Sequence, residues 1–404
     1  MHHRVGQPEL LKEINRARLF DELKAARVLS RPELAQRTGL SRAAVTVLME
    51  DLIKVGVARE SGLGNSTGGR PPVLLEFNPD AAYAIGARMR DSQWGIVMTN
   101  LDAQVIHSLD VPIPNSTPEA AVRSLCDGVR AIMAQVHEAQ ILPALGVGTP
   151  GLVDMSTGVI KSAVDVGWFE VPFRDMVEEE LGMRTFVANR SKVGALAELW
   201  CDPQPGITEI IYISIGTGIA AGIVHENKLY IGANSSAGEL GHVTVLPDGP
   251  LCPCGNRGCL QQLASGPAIA NRARAALRSA EDSFLRALTG DHPERLTAST
   301  VFMAAEAGDP IAQQVVLETA QYLGLAIANL INLFNPQLIV IGGPVGQEGR
   351  ILLDPLRAEV QRRAMAYPLS ALEIVMSNLG QYAGAIGAAV LVLQHASELI
   401  FARH

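Results

Sequence analysis

Apolar residues in the first eighty positions recur at helical spacing and then at strand spacing. Over residues 15–28 they fall at Leu19, Phe20 and Leu23, one face of a short amphipathic helix. Ser30-Arg31-Pro32-Glu33 supplies a cap, a first-turn proline and a capping-box glutamate, so a second helix is expected from there to Gly39. Ser41 caps a third helix, with Val45, Leu48, Leu52 and Val55 on one face and Gly56 at its end. Residues 57–60 and 72–77 read as two short strands around a glycine-rich loop.

After Asn78-Pro79 the pattern becomes α/β alternation. Strands are expected at 84–88, 95–99 and 105–109, then a helix over 118–139 and a strand at 144–148. The series recurs with strands at 209–215 and 220–224, a helix over 311–333 and a strand at 338–342. Such a repeat predicts two similar lobes flanking a cleft. The division it suggests is a head over residues 1–80, a first lobe over 81–200 completed by a C-terminal helix at about 382–404, and a second lobe over 201–381.

Composition narrows the class. Hydrophobic residues make up 48% and charged residues 18%, an ordinary soluble balance. No apolar run reads as long enough to cross a bilayer and the start has no signal-peptide pattern, so a cytoplasmic location and no membrane partner are expected. The net charge of −8 is uneven: residues 1–75 carry 12 Lys and Arg against 8 Asp and Glu, leaving −12 for the remainder. A basic head on an acidic body suits a polyanion-binding module. Three of the five cysteines, Cys252, Cys254 and Cys259, fall within eight residues, which favours a metal site over disulfides.

Helix, glycine-bearing turn and helix form the arrangement in which the second helix of the pair enters a DNA major groove. Its entering end would be Ser41, Arg42, Ala43 and Thr46: small residues for close approach, an arginine for a guanine edge or phosphate, a threonine for a base. The loop between the two strands would make a wing, with Arg70 in Gly69-Arg70-Pro71 suited to a narrow minor groove. The plainer alternatives are a structural three-helix bundle and an interdomain linker.

The motifs of the body resemble those of the ROK (repressor, open reading frame, kinase) family, whose fold is actin-like, of the ribonuclease H-like, sugar-kinase type. Residues 146–154 resemble its first-lobe glycine–proline segment, Gly216-Thr217-Gly218 its second phosphate loop, and Gly238-Glu239-Leu240-Gly241-His242 its sugar and metal motif. Residues 251–260 resemble its cysteine signature, and residues 335–343 and 384–387 its nucleotide-side segments. The resemblance runs from about residue 15 to about 393. It implies an α/β protein with an N-terminal winged helix-turn-helix. The implied function is sugar-responsive regulation of transcription, as a repressor, on operator DNA as a homodimer or dimer of dimers.

His242, Cys252, Cys254 and Cys259 supply one imidazole and three thiolates, a set that closes a tetrahedral Zn²⁺ shell with no position for water. That describes a structural ion, with Gly255 and Gly258 letting the loop curl around it. Free buried cysteines or a redox pair are the alternative. By the resemblance, His242 also touches the sugar.

Kinases of the family carry Asn-Asp-Ala-Asn ahead of a helix ending in Glu. This chain has Asn189-Arg190-Ser191-Lys192 ahead of Glu198. Arg190 therefore stands at the position of the catalytic base and cannot accept a proton. The family's first phosphate loop, Asp-x-Gly-Gly-Thr, is replaced by residues 85–91. Val164 stands for the usual asparagine before Gly167-Trp168, and Gln261 for the usual glutamate after the last cysteine. Kinase activity is not expected, since loss of a general base alone removes a factor of about 10²–10⁴. Gly216-Thr217-Gly218 reads either as a surviving nucleotide loop or as a hairpin the fold needs.

The effector pocket is expected at Asn189, Arg190, Glu239 and His242. Arg190, with Lys192 two residues on, would pair either with the anionic group of a sugar phosphate or sugar acid, or with a carboxylate of the protein. Two rival readings are a sugar kinase with an appended DNA-binding domain, using Asp165 or Asp91 as base, and a scaffold that binds a partner through the zinc region.

Overall fold

The computed structural model describes residues 8–64, 71–90, 92–137, 140–279, 283–290 and 292–401. Three helices open the chain: α1 (Pro8–Ala26), α2 (Arg31–Thr38) and α3 (Arg42–Lys54), with strands β1 (Val28–Ser30), β2 (Ala58–Leu63) and β3 (Val73–Phe77) forming a sheet of order β1-β3-β2. Local chemistry sets the helix ends. The Ser30 hydroxyl accepts from the Glu33 N–H while the Glu33 carboxylate accepts from the Ser30 N–H at 2.7 Å, and Gly39 closes α2 at φ 69°. Ser41 caps α3 through the Ala44 N–H at 3.2 Å. Leu19, Phe20, Leu23, Leu34, Leu48 and Leu52 pack inside, and the Phe20 and Phe77 rings meet edge to face at 5.7 Å.

Two expectations for this head need correction. Helix α1 starts well before residue 15, because its first turns carry Leu10, Leu11 and Ile14 pointing to solvent rather than along the core-facing stripe. Strand β1 was not anticipated; three residues are too few to show an alternation, and pairing with β3 creates it.

The body holds two five-stranded sheets of the same design. In the first lobe β4 (Tyr83–Arg90), β5 (Gln93–Asn100), β6 (Val105–Pro112), β7 (Ile141–Thr149) and β11 (Arg184–Asn189) take the order β11-β7-β4-β5-β6. In the second, β12 (Ile210–Ile215), β13 (Ile219–His225), β14 (Lys228–Tyr230), β15 (Leu338–Gly342) and β16 (Glu373–Met376) take the order β14-β13-β12-β15-β16. In each, the first strand lies centrally, antiparallel to the second and parallel to the fourth. A small antiparallel sheet of β8 (Leu152–Asp154), β9 (Val159–Ala163) and β10 (Trp168–Val171) lies between β7 and β11 in sequence.

Helices α4 (Pro118–Met133) and α5 (Phe173–Leu181) pack on each other in the first lobe. Helix α4 ends short of residue 139, because the chain turns at Ala134 to return to β7 at Ile141. The C-terminal helix expected over about 382–404 is two helices among the described residues, Ala383–Leu393 and Ala396–Phe401, parted by a turn at Gln394-His395. Helix α6 (Arg190–Cys201) packs on Ala383–Leu393 and also meets β12 and β13, and Ala383–Leu393 meets β4 and β7. That contact needs glycine: a Cβ on Gly146 would collide with the Ala388 carbonyl. The helix Pro310–Phe334 has 25 residues and is long and apolar enough to cross a bilayer, contrary to the sequence reading; 56% of its most apolar stretch is buried inside the second lobe.

Head and first lobe share one continuous core. Lys24 on α1 donates to the Leu101 carbonyl at 2.7 Å and sits 4.3 Å from the Trp200 ring on α6, and burial brings its ammonium down to about 8. Arg27 pairs with Asp102 at 2.6 Å, and Arg16 lies over Phe401.

Candidate effector cleft and metal centre

A cavity of about 1160 Å³ opens between the lobes, and Asn189, Arg190, Glu239 and His242 all line it. Asn189 ends β11 and caps α6: its Oδ1 accepts from the Ser191 N–H at 2.8 Å and the Ser191 hydroxyl at 2.7 Å, while its Nδ2 donates to the Gly151 carbonyl. Much of the amide is thus engaged in holding the cleft wall, leaving one amide hydrogen for a ligand.

Arg190 begins α6 and donates from Nη2 to Asp165 Oδ2 at 3.0 Å. The second of the two expected roles, pairing with a carboxylate of the protein, is therefore what the structure contains. The same Asp165 oxygen accepts from the Thr217 hydroxyl at 3.4 Å, so the contact joins first lobe, α6 and second lobe across the cavity. Lys192 does not reinforce Arg190. Two residues along a helix is a turn of about 200°, and the Lys192 side chain runs inward, 2% exposed, to donate to the Ala237 carbonyl at 3.0 Å. Burial lowers its ammonium below the usual range, with the charge of Glu239 acting against that.

Glu239 faces the cavity on the loop after β14. Burial holds its carboxyl above the ordinary range, while the charges of Lys192 and His242 pull it down. Gly216-Thr217-Gly218 forms the hairpin between β12 and β13, closed by the Gly216 N–H donating to the Gly218 carbonyl at 2.9 Å. On the opposite wall, Arg88 and Arg90 of β4 line the cavity at the position of the altered first phosphate loop, and Arg90 pairs with Asp110 at 2.7 Å. Asp91 and Arg70 lie outside the described residues. Asp165, Thr217 and Phe169 of the cavity wall were not among the expected binding residues. In the sequence Asp165 stands out only as a base for the rival kinase reading and Thr217 only as part of the glycine loop, while Phe169 has no signal beyond following Gly167-Trp168.

His242, Cys252, Cys254 and Cys259 converge as a cluster whose ligand atoms lie within 4.8 Å of one another. The His242 Nδ1 to Cys252 Sγ and the Cys254 Sγ to Cys259 Sγ separations are both 3.7 Å. Bonds of about 2.3 Å to sulfur set tetrahedral edges close to these lengths, so the quartet fits a single ion. Gly255 at φ 92° and Gly258 at φ 65° supply the curl, and a Cβ on Gly258 would collide with the Leu246 carbonyl. Gln261 donates to Cys252 Sγ at 3.5 Å while also lining the cavity, and His242 belongs to both sites.

On the head, Ser41, Arg42, Ala43 and Thr46 are exposed at the start of α3 and clustered on its outer face. The Thr46 hydroxyl donates to the Arg42 carbonyl at 2.9 Å, which leaves its oxygen as an acceptor.

Fold and cleft together define a class: a transcriptional regulator built on a sugar-kinase-type body. The chain belongs to the ROK family, which it matches over residues 86–395. It is 30% identical over 391 residues to the xylose repressor of Caldicellulosiruptor bescii, covering 96% of this chain and 98% of that one. The solved structure of a ROK family transcriptional regulator, a homologue of the E. coli MLC protein, superposes with a TM-score of 0.83 at 26% identity, over 97% of this chain and 98% of that one. A ROK family glucokinase from Streptomyces griseus, solved with glucose and AMPPNP, superposes with a TM-score of 0.68 at 30% identity, over 77% of this chain and 99% of the kinase.

Proposed function

We propose that this protein is a sugar-responsive repressor whose head, residues 1–80, is a winged helix-turn-helix that binds operator DNA, and whose two-lobed body, 81–200 with the C-terminal helix and 201–381, senses the sugar without phosphorylating it. The observation that carries the reading is the Arg190–Asp165 pair in the cleft wall, at the position where the motif resemblance expects the kinase base. A guanidinium cannot take a proton from a hydroxyl, and Asp165, a carboxylate of the same wall, is engaged through Oδ2 with Arg190 and Thr217.

Glu239 and His242 bind sugar hydroxyls, with Asn189 and Arg190 shaping the same wall. Because Arg190 is charge-balanced by Asp165, a neutral sugar fits better than a sugar phosphate or sugar acid. A structural Zn²⁺ on His242, Cys252, Cys254 and Cys259 would fix the loop that presents His242 to the sugar. Ser41, Arg42, Ala43, Thr46 and Arg70 contact DNA, and a homodimer or dimer of dimers presents paired heads to a two-fold site. Helix α6 runs from the cleft at Arg190 to Trp200 beneath Lys24 of the head, so cleft closure moves the element on which the head rests. The protein works in the cytoplasm.

The test is capture of genomic DNA by the purified protein, repeated across a panel of neutral sugars and their 6-phosphates, alongside a coupled assay for ATP consumption. Specific DNA whose recovery changes with one neutral sugar, and no sugar-dependent ATP turnover, is the expected result. The competing reading, a sugar kinase using Asp165, rests on that carboxylate lining the cavity; turnover abolished by Asp165→Asn would establish it.

A further inference from the structure

Phe169 is 63% exposed and Val164 53% exposed, and both line the cleft. They belong to the β9–β10 hairpin. Strand alternation separates two adjacent rings there. Trp168 turns into the first lobe, where it is buried, lies 6.0 Å from the Phe173 ring and donates from Nε1 to the Ser116 carbonyl at 2.6 Å. Phe169 turns to the other face, directly across from Ser162, which also lines the cleft. The turn Val164–Val166, ended by Gly167 at φ 74°, makes the tip of the hairpin and sets Val164 next to Asp165, the partner of Arg190. The fold therefore uses Trp168 as its anchor and leaves two large carbon surfaces facing the cavity.

A carbohydrate is amphipathic, with hydroxyls around its rim and C–H groups on its faces. The second-lobe wall offers the polar side of such a ligand through Glu239 and His242, and the first-lobe hairpin offers carbon. We propose that Val164 and Phe169 form the apolar wall of the effector subsite. A sugar lays a C–H face on the Phe169 ring and turns an edge without a hydroxyl toward Val164. The effector class is then a pentose or deoxy sugar in preference to a fully hydroxylated hexose, because a hydroxyl pressed against Val164 loses its water and gains no partner. This inference rests on the cleft being the effector site with Glu239 as a sugar ligand.

Calorimetric titration of the full-length protein with aldohexoses, their monodeoxy analogues and the pentoses lacking the hydroxymethyl group tests it. The tightest ligand is expected to be a pentose or deoxy sugar. Covering roughly 50 Å² of carbon corresponds to about tenfold in affinity, so Phe169→Ala should weaken binding about tenfold and Phe169→Tyr should restore it. Val164→Thr, which adds a hydroxyl in nearly the same shape, should shift preference toward the hydroxylated parent sugar. Melting temperature and DNA binding without sugar, measured on each variant, confirm that folding is intact. A hexose as the tightest ligand overturns the proposal. So do affinities within twofold of wild type in both Phe169→Ala and Val164→Thr, when Glu239→Gln abolishes binding; the effector cleft then stands and its apolar wall does not. If the wild type binds no carbohydrate at all, the cleft reading falls and this inference with it.

Discussion

Asp165 accepts from Arg190 on one side and from Thr217 on the other, which gives the retained glycine loop a role inside the protein that requires no nucleotide. The partners are 25 and 52 residues from Asp165 in sequence, so periodicity cannot reveal the contact. Lys192 was misplaced for a different reason. Sequence adjacency to Arg190 suggested a shared charge, but the helix carries the two side chains to different faces. The metal quartet was readable because three cysteines in eight residues, glycines at 255 and 258 and one histidine allow few other arrangements, and the glycines indeed take positive φ. For that quartet, elemental analysis of protein purified without added metal should find one zinc per chain. Stripping it with a strong chelator should lower the melting temperature and abolish the sugar response, since binding energy at such a site is folding energy. Full stability and sugar response after complete removal would refute the role given to it.

At the scale of elements, α6 carries a pH-dependent load. Glu198, 5% exposed, is pushed up to about 7 by burial, opposed by the Ser377 hydroxyl donating at 2.6 Å. The folded state keeps this proton where the unfolded chain has already released it. The associated stability is therefore full below about pH 4.5 and lost as pH rises through about 7. The component is roughly 3 kcal/mol at most. Glu198→Gln keeps an acceptor for Ser377 and cannot ionise, so its stability relative to wild type should rise between pH 5 and pH 8. Denaturant unfolding at both pH values measures this, and a gap that does not change with pH would contradict it. The strands at 84–88, 95–99, 105–109, 144–148, 209–215, 220–224 and 338–342 and the serine caps of α2 and α3 were legible because short strand-like runs and a hydroxyl three residues before a free N–H are local signals. Strands β8 to β11, β14 and β16 were not anticipated, being short or defined by the strands they pair with. The start of α1 was not, because its exposed leucines follow no core-facing stripe.

Across the whole molecule, two sheets of equal strand order enclose the cleft, and the head is seated on the first lobe through shared core and through Lys24, Arg27 and Arg16. The repeat was visible in the sequence; the seating was not, because it depends on contacts between α1 and segments 70 to nearly 400 residues away. If α6 transmits the state of the cleft, Lys24→Met combined with Trp200→Ala should leave sugar affinity and operator affinity each near wild type while reducing the change that one ligand makes to the other. Calorimetry with sugar and anisotropy with DNA read the two terms separately, and unreduced coupling would remove α6 from the route.

The most direct measurement is operator affinity of the full-length protein, by fluorescence anisotropy, with increasing sugar in wild type and Glu239→Gln, with ATP consumption followed in the same samples. A coupling of about 1–3 kcal/mol predicts a change of roughly five- to 150-fold in operator affinity for wild type, none for Glu239→Gln, and no ATP turnover in either. An operator affinity indifferent to every sugar the protein binds, together with sustained sugar phosphorylation, would contradict the account.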